Sequence, residues 1–373
     1  MVAINIEKRT FRDFDWLLAI LAIGIVCFGV TQIYNAQPEM TTWQKQIGGL
    51  FIALIAMLIV SFTDYRRFVD SAPLFYGIGL FLLIIVLIPG IGTKINGQRC
   101  WIDLGFIRFQ PSEFVKIPVV LMLAKYFGNR KIGVLKFKEI GIGIAILAAP
   151  IALILLEPDA GQAITYFPLL IVVLFLSSIK IRWVLLTIVA GIIFTPILFW
   201  VGVETGKIKQ YQLQRIYVII DPESADPKGF GYHTIQSMIS VGKGGLTGSV
   251  GETELSQSSL KFLPEPQTDF IFAVTAENTG FIGCISLLLA YALLLSRLVA
   301  GARESSDRTG VIVIMAITGE LAFQIFMNMG MVLGFLPVIG VPLPLMSAGL
   351  SAILSTFIAI GFVISVRMRR FVN

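Results

Sequence analysis

Histidine is almost missing from this 373-residue chain, which has only His233. Histidine-rich metal sites are thereby excluded, and a Ser-His-Asp triad survives only through His233. Cysteine is nearly as scarce: Cys27 and Cys284 fall in apolar blocks and Cys100 in a polar loop, which offers no disulfide pair and no metal cluster. Charged residues make up only 14% of the chain, too few for an ordinary soluble surface. The net charge of +6 is scattered along the sequence, so the clustered basic face that nucleic-acid binding needs is absent. No internal repeat of the kind that marks many transporters relates the two halves.

Apolar length is what the chain has instead. Hydrophobic residues reach 56% and come in long blocks, the composition of a polytopic membrane protein. Blocks of about 17–25 residues span a bilayer core as helices. They are predicted near 15–34, 46–63, 73–91, 112–127, 140–156, 162–179, 183–203, 270–296, 311–334 and 347–366. The expected fold is therefore all-α, a polytopic membrane helical bundle of about ten transmembrane helices forming a single integral membrane domain over residues 1–373. The first block follows the polar start "MVAINIEKRTFRDFD" and lacks a small-residue cleavage site, so it reads as a retained span rather than a signal peptide. Ten spans put both termini on one side. The segments on that side hold most of the cations, among them Arg66, Arg67, Lys125, Arg130, Arg367 and Arg370, which makes it cytoplasmic. Residues 204–268 then form a large extracytoplasmic segment.

The unusual polar residues gather on the outer side, in 92–111, 157–161 and 204–268. Within the last, "KQYQLQRIYVII" and "HTIQSMISV" are spaced for short interfacial helices, separated by Asp221-Pro222, Asp226-Pro227 and Gly229 as turn signals. "GKGGLTGSVGETE" lacks the spacing of a Walker loop. It reads first as a flexible lid or linker and second as backbone contacts to phosphate.

Ionised groups inside apolar blocks are costly enough that they face a cavity or a partner. Glu113 and Lys116, at i, i+3 spacing, share one face of the fourth span. They form either a structural ion pair or part of a polar pocket opening outward, with Arg99 and Arg108 just upstream. Ser112 is the expected N-cap in both cases. In "EPD", Asp159 caps the next helix or takes part in chemistry, two roles the motif does not separate. Glu277, Glu320, Gln324 and Asn328 read as structural, the last two as interhelical hydrogen-bonding groups. Asp269, with Thr268, stands where the chain re-enters the membrane. Capping of the eighth span and catalysis fit it equally.

Taken together, "GQRCWIDLGFIRFQPSEFVK", "EPDAG", "DPESADPKGFGYHTIQS", "LPEPQTDFIFAVTAENTGFIG" and "GFLPVIGVPLPLMSAGLS" resemble the SEDS family (shape, elongation, division and sporulation) over nearly the whole chain. The "FQPSE" and "PVIGVPLPL" contexts are more similar to its elongation branch than to its division branch. The resemblance implies a ten-span polymerase of peptidoglycan glycan strands in the bacterial inner membrane. Its implied substrate is lipid II, and its implied partner is a class B penicillin-binding protein, the transpeptidase. It makes Asp269 of "TDF" the leading catalytic residue and matches Arg99, Glu113, Lys116 and Asp159 to other functional positions. The sequence departs from the family pattern at Gln267, at Leu350 and at Cys100.

Joining two lipid II units inverts one anomeric centre, so a single base near the acceptor hydroxyl suffices, and a carboxylate can be that base. The departing pyrophosphate needs positive charge, from Arg99, Lys116, Arg215 or a divalent cation, Mg²⁺ or Mn²⁺. Such an ion would be held by the hard oxygen ligands of Glu113 and Asp159. A lipid-linked precursor flippase, or a non-catalytic scaffold for the transpeptidase, is the rival expectation.

Overall fold

The computed structural model describes residues 13–38, 41–95, 97–103, 105, 108–130, 137–176, 182, 189, 230–248, 263 and 265–370. The span expected at 183–203 and Arg215 lie outside the described residues. Twelve helices follow one another within them. The first four are α1 (Trp16–Ala36), α2 (Thr42–Phe62), α3 (Tyr65–Asp70) and α4 (Ala72–Leu87). Next come α5 (Pro111–Gly128), α6 (Phe137–Leu156), α7 (Ala160–Thr165) and α8 (Phe167–Leu176). The last four are α9 (Phe230–Lys243), α10 (Ile271–Arg303), α11 (Arg308–Val332) and α12 (Leu350–Met368). Among the described residues, α1, α2, α6, α10, α11 and α12 are long and apolar enough to cross a membrane, and α4 and the α7/α8 pair are shorter apolar helices. Helix α5 carries Glu113, Lys116 and Lys125, and α11 and α12 pack on it.

The outward faces are apolar. Phe51, Ile55 and Ile59, four residues apart on α2, are all exposed, a stripe that suits hydrocarbon rather than water. Inside, small residues let helices approach closely. The backbone of Met57 on α2 lies where a side chain on Gly361 of α12 would stand, and Ser61 Oγ bonds the Met57 carbonyl at 2.7 Å. At the end of the bundle remote from Asp269, Arg367 pairs with buried Asp15 and, at 3.0 Å, with Glu304, while Arg297 reaches Asp15 at 3.2 Å. These pairs tie the start of α1 to the ends of α10 and α12.

Two features depart from the expectation. The 92–111 stretch is not simply a loop but a three-stranded antiparallel sheet, β1 (Gly92–Ile95), β2 (Gln98–Asp103) and β3 (Arg108–Phe109), in that order. Gly97, at φ +84°, makes the turn between the first two strands. The second is a break in α10 at Gly280 (φ 62°, ψ −162°). The glycine-rich segment read as a flexible lid is, up to Gly248, a docked strap lying in that break. Phe281 N–H donates to the Gly245 carbonyl at 2.9 Å and Ile282 N–H to that of Leu246 at 3.1 Å. The strap thus satisfies donors that the interrupted helix leaves free.

Candidate active site

Asp269 sits in the turn that leads into α10 and is half-buried. It does not cap the helix: the N-cap is Phe270, with no side-chain capping bond, and Thr268 Oγ1 turns back to the Glu265 carbonyl at 3.3 Å. What holds the turn is α11 together with the chain between α11 and α12. Asn328 Nδ2 donates to the Asp269 carbonyl at 2.9 Å, Ser347 Oγ to the Thr268 carbonyl at 2.6 Å, and Ala348 N–H to the Gln267 carbonyl at 2.8 Å. The carboxylate faces Gly340, whose φ is +76°, and a Cβ there would stand 3.4 Å from Asp269 Oδ2.

On its other side Gly340 meets α7. A Cβ on Gly161 would run into the Ile339 carbonyl, so glycine at both positions lets the "PDAG" turn approach the 339–340 backbone. Asp159 caps α7 as expected, with Oδ1 accepting from Gln162 N–H at 3.0 Å. Its Oδ2 accepts from Gln110 Nε2 at 3.1 Å. Glu157 is fully buried, and neither of its carboxyl oxygens has a hydrogen-bond partner among the described residues. Burial, with the Asp159 charge adding to it, pushes Glu157 up to about 8. Asp159 is also raised, chiefly by burial. The sheet covers this turn. Gln98 Nε2 donates to the Pro158 carbonyl at 2.9 Å, and buried Cys100 has its thiol pushed up by burial first and by Asp159 and Glu157 second.

Gln162 also reaches the fourth expected span, donating to Glu113 Oε1. Glu113 Oε2 lies 3.1 Å from Lys116 Nζ, and Lys116 Nζ lies 3.0 Å from Glu320 Oε1. Gln324 Nε2 donates to the same Glu320 oxygen at 2.5 Å. Glu113, Lys116, Glu320 and Gln324 line the polar part of a narrow crevice whose remaining walls include Ile117, Val120, Ile317 and Phe362. Glu113 and Lys116 thus form both an ion pair and a pocket wall. Ser112 is not the cap of α5. That place falls to Gln110, with Pro111 at the first helical position, where its missing N–H costs nothing.

The structure therefore gathers Glu113, Lys116 and Asp159 into one buried network that adjoins Asp269 through Gly161 and Gly340. Arg99 is not part of it: its Nη1 bonds the Leu87 carbonyl at 3.3 Å. The oxygens of Glu113 and Asp159 accept from Gln162, Lys116 and Gln110 rather than standing open as a ligand set, and no group of three His, Cys, Asp or Glu among the described residues is spaced for a metal ion. The pair does not fit the expected divalent-cation site. Glu320 and Asn328 were missed as members of the site. The signal was the spacing of Glu320, Gln324 and Asn328, four residues apart and hence on one face of α11.

Fold and site together define a polytopic helical membrane protein in which a carboxylate, anchored by a loop, stands beside a buried network of charged and amide side chains. The family profile described as Cell cycle protein, of FtsW, RodA and SpoVE, matches residues 13–371. The chain belongs to that family, the SEDS proteins. The peptidoglycan glycosyltransferase MrdB of Escherichia coli (strain K12) is 36% identical over 98% of this chain and 97% of its own. Among solved structures, a chain of a peptidoglycan synthase complex described as coordinating polymerization and crosslinking superposes with a TM-score of 0.82. It is 30% identical and covers 96% of this chain and 99% of that one. The rod shape determining protein RodA of Thermus thermophilus gives a TM-score of 0.71 at 28% identity, covering 96% and 98%.

Proposed function

We propose that this chain, a peptidoglycan glycosyltransferase of the SEDS family, polymerises lipid II at the end of the bundle that carries Asp269, with Asp269 as general base. The 4-hydroxyl oxygen of the acceptor GlcNAc attacks the anomeric carbon of the donor strand. The bond from that carbon to the pyrophosphate breaks, undecaprenyl pyrophosphate departs, the α-linkage becomes β, and the hydroxyl proton passes to Asp269. One inversion requires no covalent intermediate. A substrate whose isoprenoid tail lies in the bilayer presents its reactive bond at the surface, and the supporting observation is a half-buried carboxylate at a helix start, facing a glycine that leaves its approach open.

On this reading Lys116 is withheld from the pyrophosphate by its two carboxylates, and Arg99 and Arg215 are the cations available to the leaving group. The Asp269 end faces outward and the termini, with most of the arginines, lie in the cytoplasm. A class B penicillin-binding protein is the partner that crosslinks the product, a pairing supported by the likeness to a chain of the synthase complex.

The test uses purified protein and lipid II, comparing the parent with Asp269→Ala, with and without Mg²⁺ and with and without the transpeptidase. Polymer lost in a variant that still folds and still binds the partner supports the reading, and polymer retained overturns it. The break in α10 resembles the discontinuous helices of transporters and is, among the described residues, the feature that favours a flippase. Movement of lipid II between leaflets without polymer would decide for that alternative.

A further inference from the structure

The helix that follows Asp269 begins without a side-chain cap. The backbone of Asp269 is held from α11. Asn328 is completely buried. Its Nδ2 donates at 2.9 Å to the carbonyl of Asp269 itself and at 2.8 Å to the carbonyl of Val341. Both amide protons are thereby used, which fixes the orientation of the side-chain amide. Val341 follows Gly340, the residue the carboxylate faces. One side chain therefore spans the two strands of chain whose separation defines the space in front of Asp269.

Resting on the reading of Asp269 as general base, we propose that Asn328 is a positioning residue for the reaction: by bridging Asp269 and Val341 it sets the carboxylate at a fixed distance from Gly340 and keeps the acceptor hydroxyl's place open. A general base must lie within hydrogen-bond reach of the proton it takes, and displacements of about 1 Å reduce rates by about 10²-fold. Asn328 touches neither reacting atom in this scheme. Its loss therefore lowers turnover and leaves the affinity for lipid II in place, whereas a residue that only packs α11 against α10 would change the yield of folded protein and not the rate per folded molecule.

The experiment measures kcat and KM for lipid II, and the melting temperature in detergent, for the parent, Asn328→Leu, Asn328→Ser, Asp269→Ala and Ser365→Ala. Leucine keeps the volume and removes both donors; serine keeps one. Ser365 makes comparable buried bonds at the opposite end of the bundle, to Thr63 and Tyr65. The expected result is a kcat at least ten-fold lower in Asn328→Leu with KM within about three-fold of the parent, partial recovery in Asn328→Ser, and a lowered melting temperature with parental kcat in Ser365→Ala. Parental kcat per folded molecule in Asn328→Leu overturns the proposal, and if that variant does not fold, parental kcat in Asn328→Ser does so. In either case an inactive Asp269→Ala shows that the reading of Asp269 stands while the role of Asn328 falls. An active Asp269→Ala removes the reading itself.

Discussion

Asp269 and Gly340 face each other so closely that a methyl group on the glycine would stand in van der Waals contact, 3.4 Å from Asp269 Oδ2. With Asp269 as the proposed base, that methyl would occupy the space the acceptor hydroxyl needs. It would also sit at φ +76°, a conformation that costs a non-glycine residue about 1–2 kcal/mol. Gly340→Ala is therefore expected to abolish polymerisation of lipid II, through loss of kcat, while lowering stability by only about 1–2 kcal/mol. The two effects are separated by assaying turnover per folded molecule against thermal denaturation in detergent.

Lys116 lies between two buried carboxylates, Glu113 at 3.1 Å and Glu320 at 3.0 Å. Removing the cation leaves both acids uncompensated, and breaking a buried pair from one side costs about 3–5 kcal/mol. Lys116→Met should be strongly destabilised. Glu320→Gln keeps the pair with Glu113 and retains an acceptor for Gln324, so its loss should be nearer the 1 kcal/mol or so of one ordinary hydrogen bond. Equal melting temperatures for the two variants would show that the charge is compensated elsewhere.

The spans were legible because each is a continuous apolar block, and the described helices fall on nine of the ten predicted positions. Glu113 and Lys116 were legible as a pair because their spacing is local. Glu320 was not, because its partner lies about 200 residues away and nothing in α11 alone points to Lys116. The sheet at 92–109 was hidden by its short strands, too brief to show alternation above the background of a polar loop. Gly340 carries no chemistry of its own, so only the approach of Gly161 and Asp269 in space reveals its importance. Asn328 is a similar case: the sequence gives an amide inside an apolar helix, which fits any interhelical bond, and only the fold identifies the carbonyl it bonds as that of Asp269.

The strap and the break in α10 also explain one another. Gly280 has φ +62°, and a Cβ there would collide with the backbone at Gly248 and Thr247. Gly280→Ala thus incurs both backbone strain, about 1–2 kcal/mol, and displacement of the strap that caps Phe281 and Ile282. A drop in melting temperature larger than the strain alone, with faster proteolysis within 242–248, is expected. Gly24, with nothing within 4 Å of where its Cβ would stand, serves as the control. Gly24→Ala should be neutral or stabilising by under about 1 kcal/mol.

Glu157 supplies a pH test of the turn beside the site. Its ordinary value of 4.5 is pushed to about 8 by burial and by Asp159. Between those two values the unfolded chain has released the proton while the folded chain retains it, so the folded state binds more protons and stability falls as pH rises. Below 4.5 the contribution is fully present, and above about 8 it is lost. Asp159, raised in the same direction, adds to the slope. Glu157→Gln replaces the buried acid with a neutral group of the same shape and removes most of that dependence. The parent's melting temperature should therefore fall between pH 5 and pH 8 by several degrees more than that of Glu157→Gln, and the variant should be the more stable protein at pH 8. Parallel melting curves for the two proteins across that range would mean that Glu157 is ionised in the folded state, with a partner the buried turn does not reveal.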